Sequence, residues 1–153
     1  MIAARLSGER FFSVRYCNLD PVPRKLVLGG KGNLLPIKMD GREVMCRRGV
    51  YVASSRRIDI GIGLSLNRII GGTSGFLQTL RGEGTVFLEC IGAPIELDLA
   101  AGQTIEADEN HLVATQGIPE QNIRPEWSLK NFFGGEGLSL LHITGPGKVY
   151  LNP

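Results

Sequence analysis

The closing run GGEGLSLLHITGPGKVYLN (134–152) restates GGTSGFLQTLRGEGTVFLE (71–89) without a gap, Gly145 falling on Gly82 (145 − 82 = 63). At that offset Leu77 meets Leu140, Leu80 meets Ile143, Gly84 meets Gly147, Val86 meets Val149, Phe87 meets Tyr150 and Leu88 meets Leu151. An earlier pair of blocks behaves alike. GREVMCRRGVYVA (41–53) aligns with GQTIEADENHLVA (102–114) (102 − 41 = 61), setting Val44 on Ile105, Cys46 on Ala107 and Val52-Ala53 on Val113-Ala114. Two kinds of block in alternation restrict the chain to folds built from two similar halves, about 29–90 and 91–153, within one domain spanning 1–153. What recurs is alternating hydrophobicity and glycine turns; no set of catalytic groups recurs with them.

The alternation reads as strands. Ile58, Ile60, Ile62, Leu64 and Leu66 share one face of residues 57–66, opposite Asp59, Gly61, Gly63 and Ser65. This predicts a long strand with one buried face and a second face small enough for another backbone to approach. Ile95, Leu97 and Leu99 alternate with Glu96 and Asp98, Val86, Leu88 and Cys90 oppose Phe87 and Glu89, and Val149 and Leu151 repeat that phase. Gly82-x-Gly84 and Gly145-Pro146-Gly147 lie between apolar runs and predict hairpin turns with positive φ. QGIPEQNIRPEW (116–127), with two prolines and little alternation, reads as a loop, with a short helical turn around 125–129. Its counterpart in the first half is the strand region 58–66, so the halves are expected to diverge there. The fold class that follows is all-β: a compact double-stranded β-helix or β-sandwich with twofold internal duplication.

Composition narrows the setting. A hydrophobic share of 42% and a charged share of 21% over 153 residues suit one ordinary globule, burying roughly two-thirds of its unfolded surface. No stretch approaches the ~20 apolar residues of a membrane span. The first residues mix Arg5, Arg10 and Arg15 with Glu9 and lack the apolar core of a secretion signal; residues 1–25 are expected to form an N-terminal arm. Cys17, Cys46 and Cys90 are odd in number and lack C-x-x-C spacing, so buried free thiols are expected at Cys46 and Cys90. The compartment expected is reducing: bacterial cytoplasm or an organelle matrix. The formal charge is only +2, yet residues 1–70 hold 13 Lys/Arg against 5 Asp/Glu and residues 71–153 hold 4 against 10. Arg47-Arg48 in the first half falls on Asp108-Glu109 in the second.

The ending FFGGEGLSLLHITGPGKVYLNP and the run of residues 71–114 resemble the bacterial and mitochondrial "altered inheritance of mitochondria" family, the member numbered twenty-four. The resemblance is close over 70–153 and looser over 26–66. It implies a fold like that of the tryptophan RNA-binding attenuation protein and assembly into homo-oligomers. It supplies no catalytic residues, and a role in inner-membrane organisation is tied to the mitochondrial members.

Nothing in the residues points to catalysis. His111 and His142 lack partners at metal-ligand spacing, so no metal and no cofactor is expected. Gly72-Thr73-Ser74-Gly75 lacks the spacing of a nucleophile elbow. Glu96/Asp98 and Glu106/Asp108 lie on the outward phase of strands and read as a solvated face. Gly29-Gly30-Lys31-Gly32, Gly71-Gly72 and Gly134-Gly135-Glu136-Gly137 read as turns, because a phosphate cradle needs a following helix N-terminus. The informative set is Arg42, Arg47, Arg48, Arg56 and Arg57. One reading is an anion-binding face for nucleic acid or acidic lipid, with only Tyr51 nearby to stack. The other is subunit complementarity, Arg47/Arg48 of one copy approaching Asp108/Glu109 of the next, head to tail. The second is favoured, with the Gly61, Gly63 and Ser65 face as a further contact between subunits. The function expected is a non-enzymatic homo-oligomeric scaffold or binding protein; the alternative is a nucleic-acid or anionic-lipid binding module.

Overall fold

Period-two hydrophobicity with glycine at the corners produces strands and almost nothing else. The computed structural model describes residues 14–28, 31–62, 77–126 and 140–153. Its strands are β1 (Asn33–Asp40), β2 (Val44–Arg47), β3 (Tyr51–Ser54), β4 (Ile58–Ile62), β5 (Leu77–Cys90), β6 (Ile95–Leu99), β7 (Thr104–Asp108), β8 (Leu112–Gln116), β9 (Ile123–Glu126), β10 (Leu140–Thr144) and β11 (Gly147–Leu151). A 3-10 turn, Glu120–Asn122, precedes β9. One sheet runs β1-β5-β2-β8-β11-β6 with β3 and β4 also on β5, and a second runs β7-β10-β9. The protein is all-β and sandwich-like, as the alternation predicts.

Every pairing is antiparallel, and the ladder within 33–90 recurs within 95–151. β1 pairs the C-terminal part of β5 (Leu35 with Leu88, Ile37 with Val86), as β6 pairs β11 (Ile95 with Leu151, Leu97 with Val149). β3 takes the other side of that part of β5, as β8 takes the other side of β11. Both ladders slip by one residue at the same place: β3 passes from Tyr51 to Ala53, and β8 from Leu112 to Ala114. Val52 and Val113 are thus matching bulge positions. Val44 pairs Leu80 on β2, and Ile105 pairs Ile143 on β7. Ile60 pairs Leu80 on β4, and Ile123 pairs Ile143 on β9.

The halves join through β2 and β8, where Val44, Met45 and Cys46 oppose Gln116, Thr115 and Ala114. Successive side chains of β2 enter different cores. Val44 and Cys46 pack with Leu35, Ile37, Leu80, Val86, Leu88 and Tyr150, while Met45 packs with Leu112, Ile123, Leu141, Ile143 and Val149. β8 is buried along its whole length.

Three expectations need correction. Neither glycine pair makes a hairpin: β5 runs through Gly82 and Gly84 (φ 139° and 111°) and changes partners there, β2 and β4 before, β1 and β3 after, while Gly145-Pro146-Gly147 links β10 and β11, which pair with other strands. A positive φ serves a bend as well as a turn. Residues 116–127 are not all loop, since β9 forms there and occupies the place of β4. An edge strand tolerates Pro125, whose missing N–H costs no ladder bond on the open side. The halves therefore agree from Ile60 and Ile123 onward, while the 3-10 turn stands where the first half has the start of β4. Finally, β4, paired only with β5 among the described residues, buries its apolar face only in part: Ile58 is half-buried against a core and Ile60 is 49% exposed. Leu64, Leu66, Gly63, Ser65, Gly71-Gly72 and Gly134–137 lie outside the described residues. Residues 14–28 have no regular secondary structure and are exposed.

Candidate functional site

The two charged pairs sit on matching turns. The turn from β2 to β3 is closed by the Val50 amide donating to the Arg47 carbonyl (3.4 Å), and that from β7 to β8 by the His111 amide donating to the Asp108 carbonyl (3.0 Å). Asp108 also accepts from the Asn110 amide (2.7 Å), an Asx turn. All four side chains, Arg47, Arg48, Asp108 and Glu109, are half-buried. Because β2 pairs β8, these turns meet within one chain: Arg47 Nη1 donates to the Asn110 carbonyl at 2.8 Å. Arg47 thus spends its charge on the second half of its own chain.

The other arginines are spread over separate turns. Arg42, after β1, forms a two-pronged ion pair with Asp40 (Nη2–Oδ2 2.6 Å). Those hydrogen bonds hold the Asp40 carboxyl down to about 2 and push the Arg42 guanidinium up. Arg56 pairs with Glu83 at 3.3 Å, and both are exposed. Arg57 is exposed and has no side-chain partner among the described residues. The structure does bring together a polar group that sequence reasoning missed. Gln116 Nε2 donates to the Lys38 carbonyl (2.8 Å) and to Asp40 Oδ1 (3.3 Å), and the Tyr150 hydroxyl donates to Gln116 Oε1 (3.5 Å). Burial of that hydroxyl pushes its pKa up. These groups tie β1, β8 and β11 across the join. From sequence a loop begins at Gln116, and no signal there hinted at this group.

Other candidates are already engaged. The Lys31 and Gly32 amides donate to the Glu89 carboxylate (2.8 Å for Gly32), so a protein acid fills that turn. Gly29 and Gly30 lie outside the described residues. Lys148 pairs with Glu96 and with Asp98 (3.2 Å), which push its pKa up, Glu96 first. His142 Nδ1 lies 3.8 Å from Glu106, and the His111 ring sits 3.3 Å from the Asn152 carbonyl. Among the described residues no three His, Cys, Asp or Glu side chains gather as a metal site. Cys46 and Cys90 are buried and in no disulfide, burial pushing Cys90 up; Cys17 is exposed and in none either. At Gly61 an added side-chain carbon would meet Thr79 and Arg81, its neighbours on β5, at ordinary contact distance. Among the described residues no helix is long and apolar enough to cross a membrane.

An all-β chain with two ladders of matching register and oppositely charged turns defines a β-sandwich-like class of protein. Its family follows from sequence: the profile described as "Mitochondrial biogenesis AIM24" matches residues 1–153, and the chain belongs to the AIM24 family. No curated protein matches it. Among solved structures it is similar to protein SPYM3_0169 from Streptococcus pyogenes, with a TM-score of 0.61 and 21% identity over 80% of this chain. That match spans 54% of the Streptococcus chain, about half its length. At such identity the likeness speaks for the fold alone.

Proposed function

We propose that this AIM24-family chain is a non-enzymatic homo-oligomeric scaffold or binding module whose copies meet head to tail. One observation carries the reading: matching turns of the two halves bear opposite charge, Arg47-Arg48 against Asp108-Glu109. A head-to-tail contact sets the first half of one copy against the second half of the next, and it closes into a ring where the rotation permits. Opposed potentials steer that encounter and suppress head-to-head pairing more than they add affinity. The ring-forming fold implied by the attenuation-protein resemblance suits this reading.

In-chain partners of Arg42 and Arg56 weigh against the alternative, an anion-binding module for nucleic acid or acidic lipid. Native mass measurement decides between them. The expected result is a defined multiple of 16.6 kDa that assembles more slowly at high salt. A monomer at every concentration, with salt-dependent retention on RNA or acidic vesicles, would overturn the scaffold and favour the alternative.

A further inference from the structure

The β2–β8 join has a counterpart that the chain leaves open. Each half contributes two three-stranded units: β4-β5-β2 and β1-β5-β3 in the first, β6-β11-β8 and β9-β10-β7 in the second. The join uses β2 of the first half and β8 of the second. By the matching registers, β7 is the second-half equivalent of β2 and β3 the first-half equivalent of β8. Among the described residues, β3 pairs only with β5 and β7 only with β10. The two strands that would make the same join are therefore both edges, at opposite ends of the duplicated plan.

We infer that β3 of one copy of this chain pairs antiparallel with β7 of the next, reproducing between molecules the β2–β8 join within one. The register carries over residue by residue. Val44, Met45 and Cys46 opposing Gln116, Thr115 and Ala114 become Ile105, Glu106 and Ala107 opposing Ser55, Ser54 and Ala53 of the neighbouring copy. The composite sheet runs β1-β5-β3-β7-β10-β9, matching β4-β5-β2-β8-β11-β6.

Edge chemistry supports this choice. An open edge invites pairing unless proline or charge blunts it. β1 carries Pro36 and β9 carries Pro125, and these are the outer strands of the composite sheet. β4 has Asp59, β6 has Glu96 and Asp98, and β7 has Glu106 and Asp108, acids that block a second copy of β7 and suit the uncharged β3 beside its basic turn. β3, Tyr51–Ser54, alone among the described edge strands has neither proline nor charge, and all four of its residues are half-buried. Charge agrees as well. In the chain, Arg47 at the end of β2 reaches the Asn110 carbonyl of the facing turn. Its equivalent at the open join is Asp108, which reaches the turn holding Arg47, Arg48 and Gly49 of the neighbouring copy. The acid replaces the base where the facing turn is basic.

The inference rests on the head-to-tail assembly proposed above, and cross-linking separates the two. In full-length chain with Cys17→Ser, Ser54→Cys is placed in one preparation and Glu106→Cys in another. Both positions are on edge strands and outside either core. Mixed and mildly oxidised, the two should form a dimer containing one of each, while neither alone cross-links. Pairing Ser54→Cys with Thr104→Cys, two residues out of register, should cut the yield severalfold. If native mass gives a multimer but the mixed pair gives no cross-link, the edge pairing is overturned and the assembly stands. Cross-linking of Ser54→Cys with itself overturns it in favour of a symmetric contact. A monomer without cross-links overturns both.

Discussion

The two halves follow one pairing plan and differ at its centre. In the first, β5 runs unbroken through Gly82 and Gly84; in the second, Gly145-Pro146-Gly147 divides the equivalent path into β10 and β11. The surroundings of the matching glycines explain what each half tolerates. At Gly84, with φ +111°, an added side-chain carbon would lie 2.7 Å from Ser55 Oγ, the end of a rotatable side chain. At Gly147, with φ +147°, it would lie 2.7 Å from the Gln116 carbonyl oxygen and 2.5 Å from Ile118 Cγ1. The first obstacle can rotate away and the second includes fixed backbone. The second half is the tighter copy around its bend, where Leu141 and Ile143 before it and Val149 after it pack in one core.

Glycine replacement tests that contrast most strongly. Gly147→Ala combines a disfavoured φ with a clash against backbone, and we expect a loss of about 3 kcal/mol or more in denaturant unfolding. Gly84→Ala should lose about 1–2 kcal/mol, since Ser55 can move. Gly102→Ala, with φ +78° and nothing within 4 Å, carries the backbone penalty alone, ~1 kcal/mol. Equal losses at Gly147 and Gly84 would end the claim that the halves differ in tightness.

The next contrast sets the closed join against the open edge. Met45 on β2 is 1% exposed and fills the second-half core, whereas its equivalent on β7, Glu106, is exposed. Met45→Ala should cost about 2–5 kcal/mol through lost burial and a residual cavity. Glu106→Ala should stay within about 0.5 kcal/mol in the dissociated chain. Leu80→Ala and Ile143→Ala, equivalent positions at 0% exposure, should fall in the same range as Met45→Ala and within ~1 kcal/mol of each other. A wide gap between those two would show that the common plan does not extend to the energetics.

Much of this was legible in the sequence because period two survives translation into structure. Val86, Leu88 and Cys90 are buried on the predicted face, and the offsets read from glycines reappear in strand registers. What was illegible depended on partners. A positive-φ glycine between apolar runs is equally consistent with a hairpin and with a strand that changes neighbours, and only the position of β1–β4 decides. Pro125 argues against a central strand and says nothing against an edge. Ile60 alternates correctly, yet alternation cannot reveal that Ile58 packs on a core while Ile60, two residues on, is exposed. The charges of Arg47 and Asp108 were readable as a complementary pair of turns. That Arg47 would meet Asn110 of its own chain required knowing that β2 pairs β8.

The smallest expected effect concerns a group that the second half lacks. Asp40 ends β1, and Ala100-Ala101 stand at the matching place after β6. Hydrogen bonds from Arg42 lower the Asp40 pKa from 3.8 to about 2. A carboxyl whose pKa is lower in the folded state stabilises the protein above its unfolded value, and that contribution fades as pH falls through the folded one. The stabilisation from this pair should therefore be whole above about 4 and lost progressively as pH falls toward 2. Both partners are exposed, so solvent keeps the effect small. In Asp40→Asn the denaturation midpoint should depend less on pH across that window than in the parent chain. In Arg42→Ala, NMR titration should find the Asp40 carboxyl back in its ordinary range. An unchanged titration in Arg42→Ala would assign the depression to the Gln116 side chain instead, and with it to the join between the halves.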